Sequence, residues 1–327
     1  MKYLIIIFFV FSTSVLIAQE KTPEDFGFRH LQMPYQGTVV DILVKSQPGE
    51  ESKEKPLFLF CQGSLPQPLI KYDEKGKFGV FPFNPDSLGM DYHLVIISKP
   101  FIPVIAHVSQ LNADYSYKDS TGNFPQGYTT HNYLDYYVNR NIDVLRYLQK
   151  QDWVSSKKLV VAGHSEGSTI AAKMATIYHK ITHLIYSGGN PLGRILTVIE
   201  QERAMETSST TPIAEEQFGF WKDIVANPNN NVSTGDTYRS MYSFSIPPIQ
   251  YLEKLKIPVL VCYGTKDAAG TYNDYLRIET IRNRKDNFTF KAYIGTEHNY
   301  FPVKSNGEID YETYNWDKVA GDWRDWL

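Results

Sequence analysis

No run of lysine and arginine in this chain is long enough to track a phosphate backbone, and the net charge is −3. Nucleic acid is therefore not an expected partner. Also missing are G-x-x-x-x-G-K-[ST], the G-x-G-x-x-G fingerprint, H-E-x-x-H and any pair of C-x-x-C motifs, so no cofactor and no metal is implied. Cysteine is scarce, with only Cys61 and Cys262 in 327 residues. No internal repeat or low-complexity tract interrupts the chain.

A long uncharged apolar run occurs only at the amino end. Lys2 precedes an apolar stretch from Tyr3 to Ile17, followed by Ala18 and the polar Gln19-Glu20. This reads as a signal peptide, residues 1–18, cleaved near Ala18. As a helix, Tyr3 to Ala18 would span about 24 Å, short of the ~30 Å hydrocarbon core, which disfavours a membrane anchor. No cysteine follows to take a lipid. The expected product is a secreted or periplasmic protein with no stable membrane insertion after cleavage.

The rest of the chain has the composition of a folded domain, at 42% hydrophobic and 21% charged residues overall. Eight short β-branched or aromatic runs read as strands: Phe28–Met33, Thr38–Lys45, Pro56–Cys61, Tyr92–Ser98, Lys158–Ala162, His183–Ser187, Pro258–Tyr263 and Asn287–Tyr293. Between and after them, Tyr133–Lys150, Ser165–His179, Tyr272–Arg284 and Tyr314–Leu327 carry helical patterning. The alternation predicts an α/β fold whose mainly parallel eight-stranded sheet has helices on both faces. The short link Pro34-Tyr35-Gln36-Gly37 predicts an antiparallel opening hairpin. Two stretches break the pattern. Pro100–Thr130 reads as a long loop at the sheet's carboxyl edge, and about 188–255 reads as an inserted cap, being longer than one crossover needs.

Gly163-His164-Ser165-Glu166-Gly167 matches G-x-S-x-G, a strand-to-helix turn that holds a serine strained and exposed. Its setting fits, because Lys157–Ala162 is a buried-strand pattern running into Gly163 and Ser168–Ala175 is a small-residue helix just beyond. A serine hydroxyl is a poor nucleophile at neutral pH, so it needs a base, and the base needs an acid that fixes its tautomer. With this elbow the partners follow in the order serine, acid, histidine. Ile257–Tyr263 runs into Gly264-Thr265-Lys266-Asp267, and Phe288–Tyr293 runs into Ile294-Gly295-Thr296-Glu297-His298. Asp267 is the candidate acid, with Asp236 and Asp274 as competitors. His298 is the candidate base and the one histidine downstream of Asp267. His164 is expected to pack, His107 and His131 to reach substrate from the long loop, and Glu297 to face solvent or shape the surroundings of His298. For the oxyanion, the N–H of Glu166 is one expected donor and that of Ser64, in Gln62-Gly63-Ser64-Leu65, the other, with Leu65 as fallback.

At Gly163–Gly167, Gly264–Asp267 and Gly295–His298, with Gln62-Gly63-Ser64 upstream, the chain resembles the α/β-hydrolase superfamily over residues 19–327. Its elbow is similar to those of the dienelactone-hydrolase and prolyl-oligopeptidase-like branch. The resemblance implies Ser165, Asp267 and His298 as a catalytic triad. Gln62 stands where many relatives have histidine, and there is no room for a large amino-terminal propeller, which favours ester over peptide cleavage. In that fold the strands of Cys61 and Cys262 are separated by two others, about 14 Å, too far for a disulfide, so both read as buried thiols.

The expected activity is that of an exported serine esterase acting on a small-molecule acyl substrate, ester or thioester, through an acyl-serine. A small-peptide serine hydrolase is the alternative within enzymes, and a non-catalytic α/β-hydrolase-fold binding protein the alternative outside them. In the cap, Arg194, Arg203 and Arg239 are candidates to grip a substrate carboxylate, against the commoner role of solvated surface arginines. An aromatic content of 14% allows a glycan-binding face, though packing is the commoner use of such residues.

Overall fold

The computed structural model describes residues 21–209, 212–232 and 236–327. The expected signal peptide lies outside them, and no helix among the described residues is long and apolar enough to cross a membrane. Among the described residues eleven strands form in chain order: β1 (Arg29–Tyr35), β2 (Thr38–Lys45), β3 (Lys55–Cys61), β4 (Ile70–Asp73), β5 (Gly76–Lys77), β6 (His93–Ile97), β7 (Ile105–His107), β8 (Val154–His164), β9 (His183–Ser187), β10 (Val259–Gly264) and β11 (Phe288–Tyr293). Eight of them make the main sheet in the order β1-β2-β6-β3-β8-β9-β10-β11. The β1-β2 and β2-β6 pairs are antiparallel, and every later pair is parallel. All eight expected runs are in this sheet.

The opening hairpin is tighter than expected, with Gln36 and Gly37 forming its loop at φ 47° and 80°. Positive φ at both central residues is what a type I′ turn demands. Pro34 is accommodated within β1 because that strand is at the sheet's edge, where a missing N–H costs no ladder bond.

Strand alternation divides the core in two. Leu57, Leu59 and Cys61 of β3 point to one face with Val161 and Val261, and Phe58 and Phe60 point to the other with Val160, Leu260 and Cys262. Helices Leu134–Leu148 and Glu166–Ile177 cover the first face, and the closing helix Trp316–Trp326 lays Val319, Ala320 and Trp323 on the second. The two thiols are thus on opposite faces, both free and both pushed by burial up to about 12. Many of the aromatic residues are used in packing, as where Phe58, Phe60, Phe83 and Trp316 pack around Trp323.

The region read as a cap folds as helices Arg194–Met205, Ile213–Ala226 and Tyr238–Ser245. Pro100–Thr130 is not purely loop. It contributes β7, which joins β4 and β5 in a small three-stranded sheet unforeseen in the sequence. After β3 the chain moves to one side to form β6 and then returns to the other side of β3 as β8. This reversal puts the carboxyl ends of β3 and β8 side by side, with Cys61 opposite Gly163. Crevices at such switch points are the usual ligand sites of open α/β sheets.

Candidate functional site

Ser165 is at that reversal, between β8 and the helix Glu166–Ile177. Its backbone has φ 58° and ψ −126°, a region that non-glycine residues avoid and that typically costs about 1–3 kcal/mol. Close packing over-determines the turn. A Cβ on Gly163 would meet the Gly167 carbonyl oxygen at 2.0 Å, and one on Gly167 would meet the Cys61 carbonyl oxygen at 2.0 Å. Only glycine fits either position. The Ser165 N–H donates to the Ser187 carbonyl at 2.9 Å, tying the elbow to β9.

The loops after β10 and β11 bring Asp267 and His298 together, with Oδ2 of Asp267 accepting from Nδ1 of His298 at 2.8 Å. Gly264 permits this approach, since a Cβ there would meet the carbonyl oxygens of Thr296 and Glu297 at 2.4 Å. The other carboxylate oxygen accepts from the Ala269 N–H at 3.1 Å, which fixes the plane of Asp267. The Asp267 side chain is 4% exposed and that of His298 36%, so the imidazole faces the crevice with its carboxylate behind it. Burial works against protonating His298, yet the Asp267 hydrogen bond and the charges of Asp267 and Glu297 outweigh it and raise the imidazole above its ordinary value. Glu297 serves its own loop as well, accepting from the N–H groups of Asn299 at 2.7 Å and Phe301 at 3.0 Å.

Ser165 and His298 both border two clefts, one of 420 Å³ and one of 350 Å³. Among the described residues they make no direct hydrogen bond; such contacts are often long in unliganded enzymes and tighten with substrate. Ser64 also borders both clefts. Its carbonyl accepts from the Tyr128 hydroxyl at 3.2 Å, and the Gln62 amide donates to the Ile97 carbonyl at 2.9 Å, so this loop is held from two sides. The Glu166 N–H is at the first position of its helix, where no intrahelical acceptor exists.

The side chain of Glu166 is a feature the sequence reading overlooked. It is 1% exposed and lies between Lys99 Nζ at 2.9 Å and the guanidinium of Arg194, which also reaches Asp236 at 3.1 Å. Burial alone would raise the Glu166 carboxyl, but the two cations hold it below its ordinary value. The carboxylate gripped by Arg194 is therefore the protein's own. Arg203 pairs with Glu206 and Glu215, and Arg239 packs over the Tyr133 ring, so neither lines the clefts. A lysine two residues after the wholly buried strand β6 was the available signal for Lys99.

The competing acids are engaged elsewhere, Asp236 with Arg194 and Asp274 with the Tyr263 hydroxyl at 2.5 Å. His107 and His131 do not reach the site. His107 contacts Ser109 and Glu74 beside the small sheet, and His131 bonds the Gly127 carbonyl and stacks on Phe101. His164 is buried beneath His298, with ring centroids 4.9 Å apart, and bonds Ser187 at 3.0 Å. Among the described residues no group of histidine, cysteine and carboxylate side chains could hold a metal ion.

An eight-stranded, mostly parallel sheet with an inserted helical cap and a glycine-flanked serine at the β8 turn defines the α/β-hydrolase superfamily. Within it, residues 136–304 match the family described as BAAT / Acyl-CoA thioester hydrolase C terminal, and the chain belongs to that family. The matched region contains Ser165, Asp267 and His298. No curated protein matches the chain. Among solved structures it is similar to Est1E from Butyrivibrio proteoclasticus, at 14% identity and TM-score 0.53 over 91% of this chain and 96% of that one. It is also similar to a highly thermostable carboxyl esterase from Bacillus coagulans, at 17% identity and TM-score 0.52 over 92% and 97%. An acylaminoacyl peptidase from Pyrococcus horikoshii gives 13% identity and TM-score 0.52 over 83% of this chain and 37% of that one. These likenesses establish the shared fold. The branch expected from the sequence is thereby narrowed no further than the superfamily, with esterase-like and prolyl-oligopeptidase-like relatives.

Proposed function

We propose that this protein is a serine hydrolase that cleaves an ester or thioester through an acyl-serine, acting outside the cytoplasm as residues 1–18 suggest. The observation that carries this reading is the 2.8 Å Asp267–His298 pair facing the crevice that also holds the strained Ser165. With Nδ1 committed to Asp267, Nε2 of His298 is the acceptor for the serine proton. Ser165 Oγ forms a bond to the substrate carbonyl carbon, and its proton passes to Nε2. The carbonyl oxygen becomes an oxyanion, for which the N–H groups of Ser64 and Glu166 are the donors. Collapse of the intermediate expels the alcohol or thiol, which takes the proton from His298. Water then repeats the sequence on the acyl-serine and releases the acid. Thioester cleavage is in keeping with the family's description, and the G-H-S-E-G elbow with the dienelactone-hydrolase and prolyl-oligopeptidase-like branch.

The test is labelling of the mature protein with a fluorophosphonate probe, together with hydrolysis of p-nitrophenyl acyl esters, acyl thioesters and short peptide anilides. Covalent labelling with ester or thioester turnover is expected. A folded protein that neither labels nor turns over any acyl substrate refutes the reading.

The pH profile should carry the mark of the Asp267–His298 pair. His298 must be neutral to accept a proton, so kcat/KM should fall on acidification through His298's own pKa. Because that pKa is raised, the midpoint is expected above the ordinary imidazole value of about 6.5. Asp267→Asn, which removes the carboxylate charge, should move the midpoint down. An acid limb that stays in place in Asp267→Asn would assign it to a different group.

A further inference from the structure

The larger of the two clefts beside Ser165 has walls of Phe60, Val80, Phe81 and Trp316, with one cation, Lys71, among them. Lys71 is on β4, and the small sheet that sequence reasoning missed is what sets it in the cleft wall. Its ammonium donates to Gln67 Oε1 at 3.2 Å and, at a longer 3.4 Å, to the Pro68 carbonyl. Both acceptors are neutral, and an ammonium has three donors. No carboxylate pairs with it among the described residues. The fully buried lysines differ, since Lys55 pairs with Glu50 and Lys99 with Glu166. Buried charges are ordinarily paired. Lys71 is only half-buried, yet even this partial burial, with no compensating anion, lowers its ammonium to about 8.

We infer that Lys71 is an anion-binding residue of the substrate cleft, and that the preferred substrate is an ester or thioester bearing a carboxylate or phosphate group on an otherwise apolar body. The missing counter-ion of Lys71 is supplied by the ligand, while the aromatic walls take the apolar body. A cleft of 420 Å³ is within the range of small-molecule sites. The inference rests on the proposed hydrolase reading for the position of the reacting carbonyl, but the binding site itself can be tested without turnover.

Two measurements separate the two ideas. Calorimetry would compare 4-phenylbutyrate with its neutral amide on the wild type, Lys71→Met and Lys71→Arg. Kinetics would compare chromogenic aryl esters carrying a carboxylate in the acyl part, or a carboxylate or phosphate in the leaving group, with their uncharged isosteres. A charge-assisted hydrogen bond is typically worth roughly a tenfold or greater difference in affinity. The anion is expected to bind at least about tenfold more tightly than the amide in wild type, with the preference lost in Lys71→Met and kept in Lys71→Arg. At least one anionic ester should show the same pattern in kcat/KM, and carboxylate against phosphate leaving groups distinguishes the two anions. Lys71→Met keeps the stem and removes a half-buried charge that has no carboxylate partner, so it should fold, as a melting curve will show. Neutral esters turned over with no Lys71-dependent anion preference would overturn the inference and leave the hydrolase reading standing. Lys71-dependent anion binding with no labelling and no turnover would do the reverse.

Discussion

Ser165→Ala is expected to abolish fluorophosphonate labelling and to lower kcat by on the order of 10⁴- to 10⁶-fold, with His298→Ala nearly as costly. Labelling reads the nucleophile directly, because the probe bonds only to an activated oxygen. Asp267→Asn should cost about 10⁴-fold, since an amide in place of the carboxylate favours the wrong imidazole tautomer while preserving shape. The double variant Ser165→Ala/His298→Ala should be little worse than either single one, because the groups act as a unit. Thermal melts of all variants should stay close to wild type. If Ser165→Ala retains turnover, the serine has been assigned a role it does not have.

The second large effect is on stability. Lys99→Met removes one of two cations that hold the Glu166 carboxylate inside the protein. Breaking a buried ion pair from one side leaves an uncompensated charge and typically costs about 3–5 kcal/mol, and the retained Arg194 places this case toward the lower end. A lower urea midpoint with an unchanged m-value would register it. Lys99→Met/Glu166→Gln should recover part of the loss by removing the stranded charge. The same network predicts acid sensitivity. The folded pKa of Glu166 is depressed, so its contribution is present above the ordinary carboxylate range and is lost as pH falls through the depressed folded value. Equal urea midpoints for Lys99→Met and wild type would show that Arg194 alone compensates Glu166. Activity should fall along with stability, because Glu166 directly follows the serine and its N–H is the proposed oxyanion donor.

The main sheet was legible because its central strands are buried on both faces and read as unbroken apolar runs, as in Leu-Val-Ile-Ile of β6. The candidate chemistry was legible from chain order, since Ser165 and Asp267 follow the buried strands β8 and β10 and His298 follows the edge strand β11. Boundaries were less readable. β8 begins at Val154, four residues before the expected start at Lys158, because Val154 pairs with Lys55 across a register irregularity although Ser155, Ser156 and Lys157 resemble a turn. The small sheet escaped notice because β4, β5 and β7 are four, two and three residues long, and Ile70 pairs with Ile105 far along the chain. The Lys99–Glu166–Arg194 network was invisible for a related reason. Its members are 67 and 28 residues apart, and nothing local in the chain reports that folding will bring them together.

Two clefts meeting at one serine have a consequence for how selectivity can change. One wall set belongs to the small sheet and the closing helix, and the other to the cap and the start of the Glu166 helix. Residues such as Phe81 and Met241 share no element, so substitutions in the two walls should combine additively in free energy, each tuning one half of the substrate while leaving the other half alone. On the proposed hydrolase reading, a chain built this way can change its preference for an acid without relearning its alcohol or thiol.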